Sequence, residues 1–235
     1  MKLAIMQPYF FPYLGYFSLI DSVDTFVVYD DVNFIRRGWV NRNNFLGKQG
    51  VYRYTLPVKK ASQNEKISNL SISDFQSQKK RFLTSMEHSY KKAPYYERVS
   101  ALLNLIYSTN DDNLSNFLTR SLQHIIDYLG ISATLLRSSE LDIAKNTVSQ
   151  ARIIEMCKEL QASTYINAQG GAELYDSTSF SSENINLEFI YFEGSEYKQH
   201  TENSFVSNLS VIDGMMFNSP SELLSIIKRY SLNHG

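Results

Sequence analysis

Short apolar segments alternate with amphipathic segments along this chain, and the alternation predicts an α/β fold. The segments KLAIMQ and DTFVVYDDV, both near the N-terminus, are short, apolar and closed by proline or by paired acids, as buried strands are. Between them, GYFSLIDSV carries apolar residues at helical spacing. A strand, a helix and a strand within about thirty residues predict a βαβ unit with parallel strands.

The later pattern extends this arrangement. VYRYTLPV predicts another strand, residues 76–130 carry helical periodicity, and ATLLRSSEL, STYINA and NLEFIYFE then restore strands around the helix VSQARIIEMCKEL. In SPSELLSIIKRY, Ser219 is a helix cap, Pro220 occupies the first helical position and Glu222 follows three residues after the cap. We expect one α/β domain over residues 1–235: a mostly parallel, Rossmann-like sheet flanked by helices, with a helical insertion at about 76–130 and a C-terminal helix.

Composition narrows the class of protein. The chain has 235 residues, of which 43% are hydrophobic and 20% charged, so it can bury a large core. The formal net charge of −1, with scattered Lys and Arg, argues against a general nucleic-acid or membrane-surface binder, which needs a basic face. The 16 Tyr and 14 Phe supply apolar area, and the phenols add a hydrogen-bonding tip that suits sites for sugars or nucleobases.

The apolar opening stretch and the single cysteine are both compatible with a globular protein that has a large core. Pro8 and Pro12 interrupt the apolar opening and Asp21 ends it, so it is neither a secretory signal nor a membrane span. We expect a cytoplasmic protein without membrane insertion. Cys157 is the only cysteine, which excludes a disulfide within the chain, and its apolar neighbours predict an inert core thiol.

Ligands of open parallel sheets bind outside the carboxyl ends of the strands, so the predicted strand ends are the candidate sites. They are residues 7–16, 30–43, 138–139 and 167–171.

In the first of these loops, two prolines stiffen the chain behind Gln7, and Gly15 permits close approach of a ligand to the backbone beside a helix N-terminus. We predict that Gln7, Tyr9, Gly15 and Tyr16 bind substrate. The alternative for the aromatic residues is that they cap the core.

The second loop, YDDVNFIRRGWVNRNN, combines several binding chemistries. Asp30, at a strand end, is a candidate base, and a carboxylate there could instead hold a metal, although we assign no metal ligand. Arginines suit phosphate, asparagine amides suit sugar hydroxyls, and a tryptophan can stack on a ring. The predicted binding residues of this loop are Arg36, Trp39, Asn41, Arg42 and Asn43.

Three later segments add candidates. His88 is a second candidate base because its ordinary pKa is near neutrality, and Lys91 is a candidate binding residue that the helix dipole also explains. The polar residues after STYI form a candidate phosphate or substrate loop, and EYKQH and SVIDG add further polar groups, among them His200 and Asp213. The binding residues predicted in these segments are Asn167, Gln169, Gly170, Tyr197 and Gln199.

The motifs together resemble the WbqC-like family. They are IMQPYFFPYLGYFSLIDSVDTFVVYDDVNF, GWVNRN, YTLPV, YKKAPYY, TYINAQGGAELY, EYKQH and SVIDGMMFN, in the family's order and over nearly the whole chain. The resemblance implies a bacterial cytoplasmic protein of O-antigen, lipopolysaccharide, capsule or other surface-glycan synthesis, acting on sugars attached to nucleotide or lipid carriers.

A weaker resemblance concerns the first βαβ unit alone, which is similar to the nucleotidylyltransferase superfamily. In that superfamily a histidine-containing motif holds ATP phosphates, whereas Tyr13 and Tyr16 occupy those positions in PYLGYF. The similarity makes ATP a candidate cofactor if the loop activates a carboxylate, and no other cofactor is predicted.

We consider three functions. The first is a transferase that acylates or aminoacylates, for example with glycine, the amino group of a nucleotide-linked deoxyamino sugar, with an acyl or aminoacyl donor as second partner. The second is a nucleotidylyltransferase acting on a sugar or lipid phosphate. The third is a non-catalytic sugar-nucleotide-binding protein of the same pathway. No nucleic-acid partner is expected, and the sequence leaves the oligomeric state open.

Overall fold

The fold was analysed in a computed structural model, which describes residues 1–59, 64–143, 147–194, 196–199 and 204–234. Strands and helices alternate along the chain, and short 3-10 turns lie at 67–69, 138–140 and 169–174. The elements are β1 Lys2–Met6, α1 Leu14–Asp21, β2 Thr25–Val28, β3 Arg42–Gly47, β4 Gly50–Thr55, α2 Phe75–Tyr90, α3 Tyr96–Ile106, α4 Leu114–Leu129, β5 Thr134–Arg137, α5 Ser149–Glu159, β6 Thr164–Ala168, α6 Ser177–Ser181, β7 Asn186–Phe192, α7 Val211–Phe217, α8 Pro220–Ile227 and β8 Tyr230–His234.

Six strands form the central sheet in the order β5-β2-β1-β6-β7-β8. The first five run parallel, and β8 pairs antiparallel to β7. The predicted α/β class and the parallel β1–β2 unit are thereby confirmed. The chain fills one half of the sheet from β1 outward and returns beside β1 with β6. The neighbouring ends of β1 and β6 are therefore the topological switch point, where sheets of this kind bind ligands.

Apolar packing covers both faces of the sheet because successive strand residues point to opposite sides. Ala4 packs into the core beneath α1, α4 and α8, whereas its neighbours Leu3 and Ile5 pack with α5 and α6. Cys157 belongs to this second core, where burial raises the pKa of its thiol to about 12, and the prediction of an inert core thiol is confirmed.

The region predicted as a helical insertion contains α2, α3 and α4. The side chain of Asp74 caps α2 and that of Asn113 caps α4, each by accepting a backbone N–H three residues on. Gly130 ends α4 with a left-handed φ of 75°, a conformation that favours glycine at the end of a helix. The buried face of α4 carries Phe117 and Leu118 into the main core.

Two strands differ from the predicted pattern. The polar loop predicted to run to Asn43 ends earlier, because β3 begins at Arg42 and pairs antiparallel with β4 in a hairpin outside the central sheet. The second is β8, which the pattern did not predict and in which His234 pairs with Glu188. The predicted C-terminal helix is confirmed with its capping box at Ser219, and β8 follows it.

Within the described ranges, no helix is both long enough and apolar enough to cross a membrane.

Candidate functional site

A cavity of about 440 Å³ lies at the switch point, between the carboxyl ends of β1 and β6. We call it the switch-point cavity. Its walls are aliphatic and tyrosine side chains with two amides, and none of the described residues that line it is charged. The lining residues are Ile5, Met6, Gln7, Tyr9, Tyr13, Gly15, Tyr16, Leu19, Tyr29, Asn167, Ala168, Gly170, Gly171, Leu174 and Tyr175.

The loop between β1 and α1 divides its aromatic residues between the core and the cavity. Phe10 and Phe11 are fully buried, whereas Tyr9 and Tyr13 are half-buried and line the cavity. The core alternative is therefore confirmed for Phe10 and Phe11, whereas Tyr9 faces a cavity and its binding role stays a prediction. Tyr16 is buried and its hydroxyl donates to the Gln7 carbonyl over 2.8 Å, which closes the loop on itself.

The glycine of this loop is required by packing. A Cβ on Gly15 would lie 2.5 Å from the Tyr13 ring, so only glycine lets that ring lie flat over the start of α1. The backbone of Gly15 has no left-handed φ. Its role is to place Tyr13, which sequence reasoning did not select as a binding residue.

Two amides in the switch-point cavity have unused hydrogen-bonding capacity. Asn167 accepts the Ala168 N–H over 2.8 Å through Oδ1, which leaves its Nδ2 without an acceptor among the described residues. The Gln7 side chain has no hydrogen bond to any described residue, although its backbone carbonyl is bonded. Polar groups at a cavity wall without protein partners are available to a ligand, and hydroxyls or amides complement them.

A second cavity, of about 390 Å³, lies between the same loop and the β3–β4 hairpin. We call it the hairpin cavity; it shares Tyr9 and Tyr13 with the switch-point cavity. Its other lining residues are Pro12, Trp39, Asn43, Asn44, Ser207 and Asn208. The guanidinium carbon of Arg42 lies 6.0 Å from the centroid of the Trp39 ring, and that of Arg53 lies 5.7 Å from it.

A third cavity, of about 280 Å³, also uses Tyr13 and lies beside the end of β7. Glu193 and Glu196 line it as exposed carboxylates, and Tyr197 and Phe205 form an edge-to-face pair with a centroid separation of 5.1 Å. The remaining lining residues are Leu14, Phe192, Gly194, Ser207, Asn208 and Leu209. One tyrosine thus borders all three cavities.

The two predicted asparagines of the second loop are used mainly by the chain itself. Asn41 is buried and donates to the Leu56 carbonyl over 2.8 Å. Asn43 is buried and donates to the carbonyls of Phe10 and Phe11, over 3.0 and 2.6 Å. Asn43 also borders the hairpin cavity, but its amide nitrogen already donates to the loop of residues 7–13 and so joins the hairpin to that loop.

Asp30 lies beneath the surface, enclosed by hydrogen bonds. Its carboxylate accepts from Ser115 over 2.5 Å, from the Ser139 backbone over 3.0 Å and from Arg137 over 2.9 Å. Burial alone would raise the pKa of Asp30, but the bonds from Ser115, Ser139 and Arg137 outweigh it and hold that pKa below its ordinary value. A fully buried, fully bonded carboxylate favours a structural role, so we do not carry Asp30 forward as a base.

The neighbouring residue, Asp31, is linked through Arg152 to the wall of the switch-point cavity. Asp31 forms an ion pair with the buried Arg152 and accepts from the Ser138 hydroxyl over 2.6 Å. Arg152 also hydrogen-bonds to the phenol of Tyr29, which lines the switch-point cavity. Burial raises the pKa of Tyr29, so its hydroxyl is neutral and can donate to a ligand.

Four of the predicted residues are exposed and lie outside the linings of the three cavities. His88 and Lys91 are exposed at the end of α2, and Lys91 pairs with Glu87 over 2.7 Å. Arg36 and Gln169 are also exposed. The structure therefore brings no histidine to a cavity wall among the described residues, and His88 has no geometric support as the base.

Tyr197 and Gln199 belong to one buried network around Asp213. Gln199 donates over 3.0 Å to Asp213, which also accepts from Tyr90 over 3.1 Å and bonds to Tyr197. Burial raises the pKa of Asp213 to about 6 against the lowering effect of these bonds. The amide of Gln199 is thus used in hydrogen bonds within the protein, whereas Tyr197 also lines the third cavity. His200 lies outside the described residues.

Sequence reasoning missed Tyr13, Tyr29, Arg53 and Asn208. Arg53 lies opposite Asn44 in the hairpin register and donates to it over 3.0 Å. An alternating pattern in VYRYT marks Arg53 as solvent-facing, but its placement beside Trp39 requires β3 to be a strand. Asn208 approaches the loop only through tertiary packing, and no local pattern indicates it.

Comparisons with known proteins agree with the motifs. The model of the WbqC-like protein family matches residues 7–224 of this chain. That range includes every cavity-lining residue except Ile5 and Met6. A protein of Mycobacterium tuberculosis (strain ATCC 25618 / H37Rv), named Uncharacterized protein Rv1507c, is 31% identical over 224 residues, which cover 94% of this chain and 95% of that protein. No solved structure matches the chain.

Proposed function

The chain belongs to the WbqC-like protein family, and from this premise we propose that it is a transferase of bacterial surface-glycan biosynthesis. Its proposed reaction is the transfer of an acyl or aminoacyl group, such as glycyl, to the amino group of a nucleotide-linked deoxyamino sugar. The observation that supports this most directly is the pair of adjoining cavities that share Tyr9 and Tyr13.

The switch-point cavity suits a deoxyamino sugar. Tyrosine faces and the side chains of Ile5, Met6 and Leu19 complement the apolar faces and the methyl group of a 6-deoxy ring. The free amides of Gln7 and Asn167 complement ring hydroxyls. No carboxylate is present among the described residues that line this cavity. An amino group bound beside them has no fixed counter-ion, which favours the neutral, nucleophilic amine.

The transfer step forms one bond and breaks one. The sugar nitrogen attacks the carbonyl carbon of an activated acyl donor and the nitrogen–carbon bond forms. The bond between that carbon and the leaving group breaks, and the leaving group departs with the bonding electrons. The proton lost by the amine passes to the departing group or to solvent. Hydrogen-bond donors beside the reacting carbonyl would stabilise its developing negative charge. Tyr29 and Asn167 carry suitable donors on the cavity wall. The donor is either a preformed activated acyl carrier or a carboxylate activated by ATP.

A non-catalytic sugar-nucleotide-binding protein is the second candidate. The observation that favours it is the position of the two predicted bases: Asp30 is enclosed and His88 is exposed outside the cavity linings. Such a protein binds the same ligand in the same cavities but leaves it chemically unchanged.

A thermal-shift screen followed by mass spectrometry distinguishes these functions. The ligands are thymidine diphosphate 4-amino-4,6-dideoxy sugars, their hydroxyl counterparts, other sugar nucleotides and ATP with Mg²⁺, since a ligand of the native state raises the Tm. The ligand that shifts the Tm is then incubated with acetyl-coenzyme A, or with glycine and ATP. A gain of one acyl or glycyl group supports transfer, binding without a mass change supports the second candidate, and no shift with any sugar nucleotide contradicts both.

Gln7→Ala and Gln169→Ala form a matched pair for this assay. Both glutamines follow parallel strands, but only Gln7 lines the switch-point cavity. We expect Gln7→Ala to weaken sugar-nucleotide binding by about threefold to tenfold, the range for one lost hydrogen bond, and Gln169→Ala to leave it unchanged. Equal affinities for the two variants would place the sugar elsewhere.

A further inference from the structure

The outward face of the hairpin gathers positive charge around the single tryptophan. Arg42 and Asn44 point outward from β3, and Arg53 on β4 lies opposite Asn44. Arg53 donates through Nε to Asn44 Oδ1 over 3.0 Å, which orients its guanidinium group. Both guanidinium groups lie over the ring of Trp39, which is 41% exposed and lines the hairpin cavity.

No described residue neutralises this charge. Among the described residues, no carboxylate lies within ion-pair distance of Arg37, Arg42 or Arg53. The Nε atom of Arg42 is buried without a hydrogen-bond partner. Burial first, and then the charges of Arg53 and Arg37, lower the pKa of Arg42. An unpaired, partly desolvated cation is unfavourable, and a bound anion would relieve that cost.

The arrangement also limits the kind of anion. Guanidinium groups bind phosphate oxygens through paired N–H donors, and an exposed indole between cations can stack on an aromatic ring. The hairpin cavity beside Trp39 and the adjoining switch-point cavity contain tyrosines and amides but no Lys or Arg among their described lining residues, and the whole chain has a net charge of −1. The basic surface is therefore local, whereas a nucleic-acid backbone requires an extended one.

We infer that the outward face of the hairpin, formed by Trp39, Arg42, Asn44 and Arg53, binds the diphosphate and base of a nucleoside diphosphate. This subsite rests on the proposed function, because it supplies the carrier-binding end of the same substrate. Arg42 and Arg53 hold phosphate oxygens, Trp39 contacts the base, and the sugar extends past Tyr9 and Tyr13 into the switch-point cavity.

Trp39 provides a direct probe, because the chain has no other tryptophan. The purified protein is titrated with uridine diphosphate, thymidine diphosphate and inorganic pyrophosphate, and binding is followed by tryptophan fluorescence and by calorimetry. We expect both nucleoside diphosphates to change the fluorescence of Trp39 and to bind more weakly as salt concentration rises. Pyrophosphate should compete with them, because it carries the same anionic groups without the base.

The variant Arg53→Gln tests the assignment, and Arg98→Gln is its control. Arg98 is also an exposed arginine over an aromatic ring, 5.0 Å from the centroid of Tyr128, but it lies on α3 outside the hairpin and the three cavity linings. Both substitutions change the net charge equally. We expect Arg53→Gln to weaken nucleoside diphosphate binding by about tenfold or more, as loss of a charged hydrogen bond does, and Arg98→Gln by less than about twofold.

These outcomes test the nucleoside diphosphate subsite independently of the proposed acyl transfer. Equal weakening by the two variants, or no binding of either nucleoside diphosphate, would overturn the subsite, even if the protein acylates a sugar on another carrier. Selective weakening by Arg53→Gln supports it, even if no acyl transfer is detected. Because Arg53 is exposed and its side chain bonds only to Asn44 among the described residues, this variant should unfold at the wild-type Tm.

Discussion

Some polar residues near the cavities bond to other parts of the chain and others face a cavity, and residue type alone does not separate the two uses. Asn43 uses its amide to bond two carbonyls of the loop, whereas Gln7 leaves its amide unpaired at the switch-point cavity. Asp30 is bonded at both oxygens, in contrast to the exposed Glu193 of the third cavity. The available hydrogen-bonding groups, rather than the number of polar residues, indicate where a ligand binds.

Asp30→Asn tests the structural role of the enclosed carboxylate. The substitution leaves Arg137 beside an uncharged partner in a buried site, so we expect the free energy of unfolding at pH 7 to fall by about 3 kcal/mol. Because the folded pKa of Asp30 is below its ordinary 3.8, its contribution is full above about pH 4 and is lost as the pH falls through the folded pKa. Urea denaturation at several pH values measures both effects.

Asp127→Asn is the control for that variant, since Asp127 is an exposed residue of α4. Its replacement should change the free energy of unfolding by less than about 0.5 kcal/mol. If Asp30→Asn were equally mild, the carboxylate would not be holding the ends of β2 and β5 together, and a role in catalysis would deserve a new test.

At the scale of elements, helix ends and one buried network determine how the helices meet the sheet. Gly130 ends α4 in a left-handed conformation. A Cβ added there would meet no atom within 4 Å, so the requirement for glycine comes from the backbone conformation and not from packing. Asp213 joins α2 and α7 through the hydroxyl of Tyr90, and this hydroxyl also accepts the Leu46 N–H of the hairpin. A single phenol therefore links three elements that surround the site.

The left-handed conformation of Gly130 predicts that a methyl group added there lowers the stability of the protein. Gly130→Ala forces a left-handed φ on an alanine and should lower the free energy of unfolding by about 1 kcal/mol. Gly170→Ala is the matched control, because an added Cβ there also meets nothing within 4 Å but its φ is not left-handed. Chemical denaturation should show no loss for this control. A similar loss for both would mean that backbone strain is not the cause.

The Asp213 network predicts that stability falls as the pH rises, which is opposite to the dependence expected for Asp30. Its folded pKa of about 6 exceeds the ordinary 3.8, so the contribution of Asp213 is greatest below about pH 4 and is lost as the pH rises through 6. Relative to Asp213→Asn, the wild-type protein should lose about 2 kcal/mol of stability across that interval. Parallel stability curves for the two proteins over this range would show that Asp213 does not titrate there.

At the scale of the whole molecule, the hairpin cavity exists only where the hairpin, the loop of residues 7–13 and the segment 205–210 meet. Asn43 joins the first two, and the backbone of Ser210 donates to the Asn44 carbonyl over 3.0 Å, which joins the third. The hairpin is not part of the central sheet. Side-chain and loop hydrogen bonds therefore decide how the hairpin and switch-point cavities are aligned.

Asn43→Ala and Asn44→Ala separate these connections. Asn43 points inward and its loss leaves two loop carbonyls without their donor, so we expect a decrease of about 2 kcal/mol in the free energy of unfolding and weaker binding of sugar and nucleoside diphosphate. Asn44 points outward and bonds Arg53, so its loss should weaken nucleoside diphosphate binding with little change in stability. Equal destabilisation by both would contradict the inward and outward assignment.

The sequence alone was sufficient for the α/β class, the parallel βαβ start, the helical region, the capping box at Ser219 and the family, because hydrophobic period, cap residues and motif order are local properties. It also pointed to the sheet edge at which the switch-point cavity lies, since parallel strands end on one side. The cavities, the pairing of Arg53 with Asn44 and the enclosure of Asp30 required the tertiary structure. Each depends on residues distant in the chain, and burial and hydrogen-bond partners are determined only when those segments pack together.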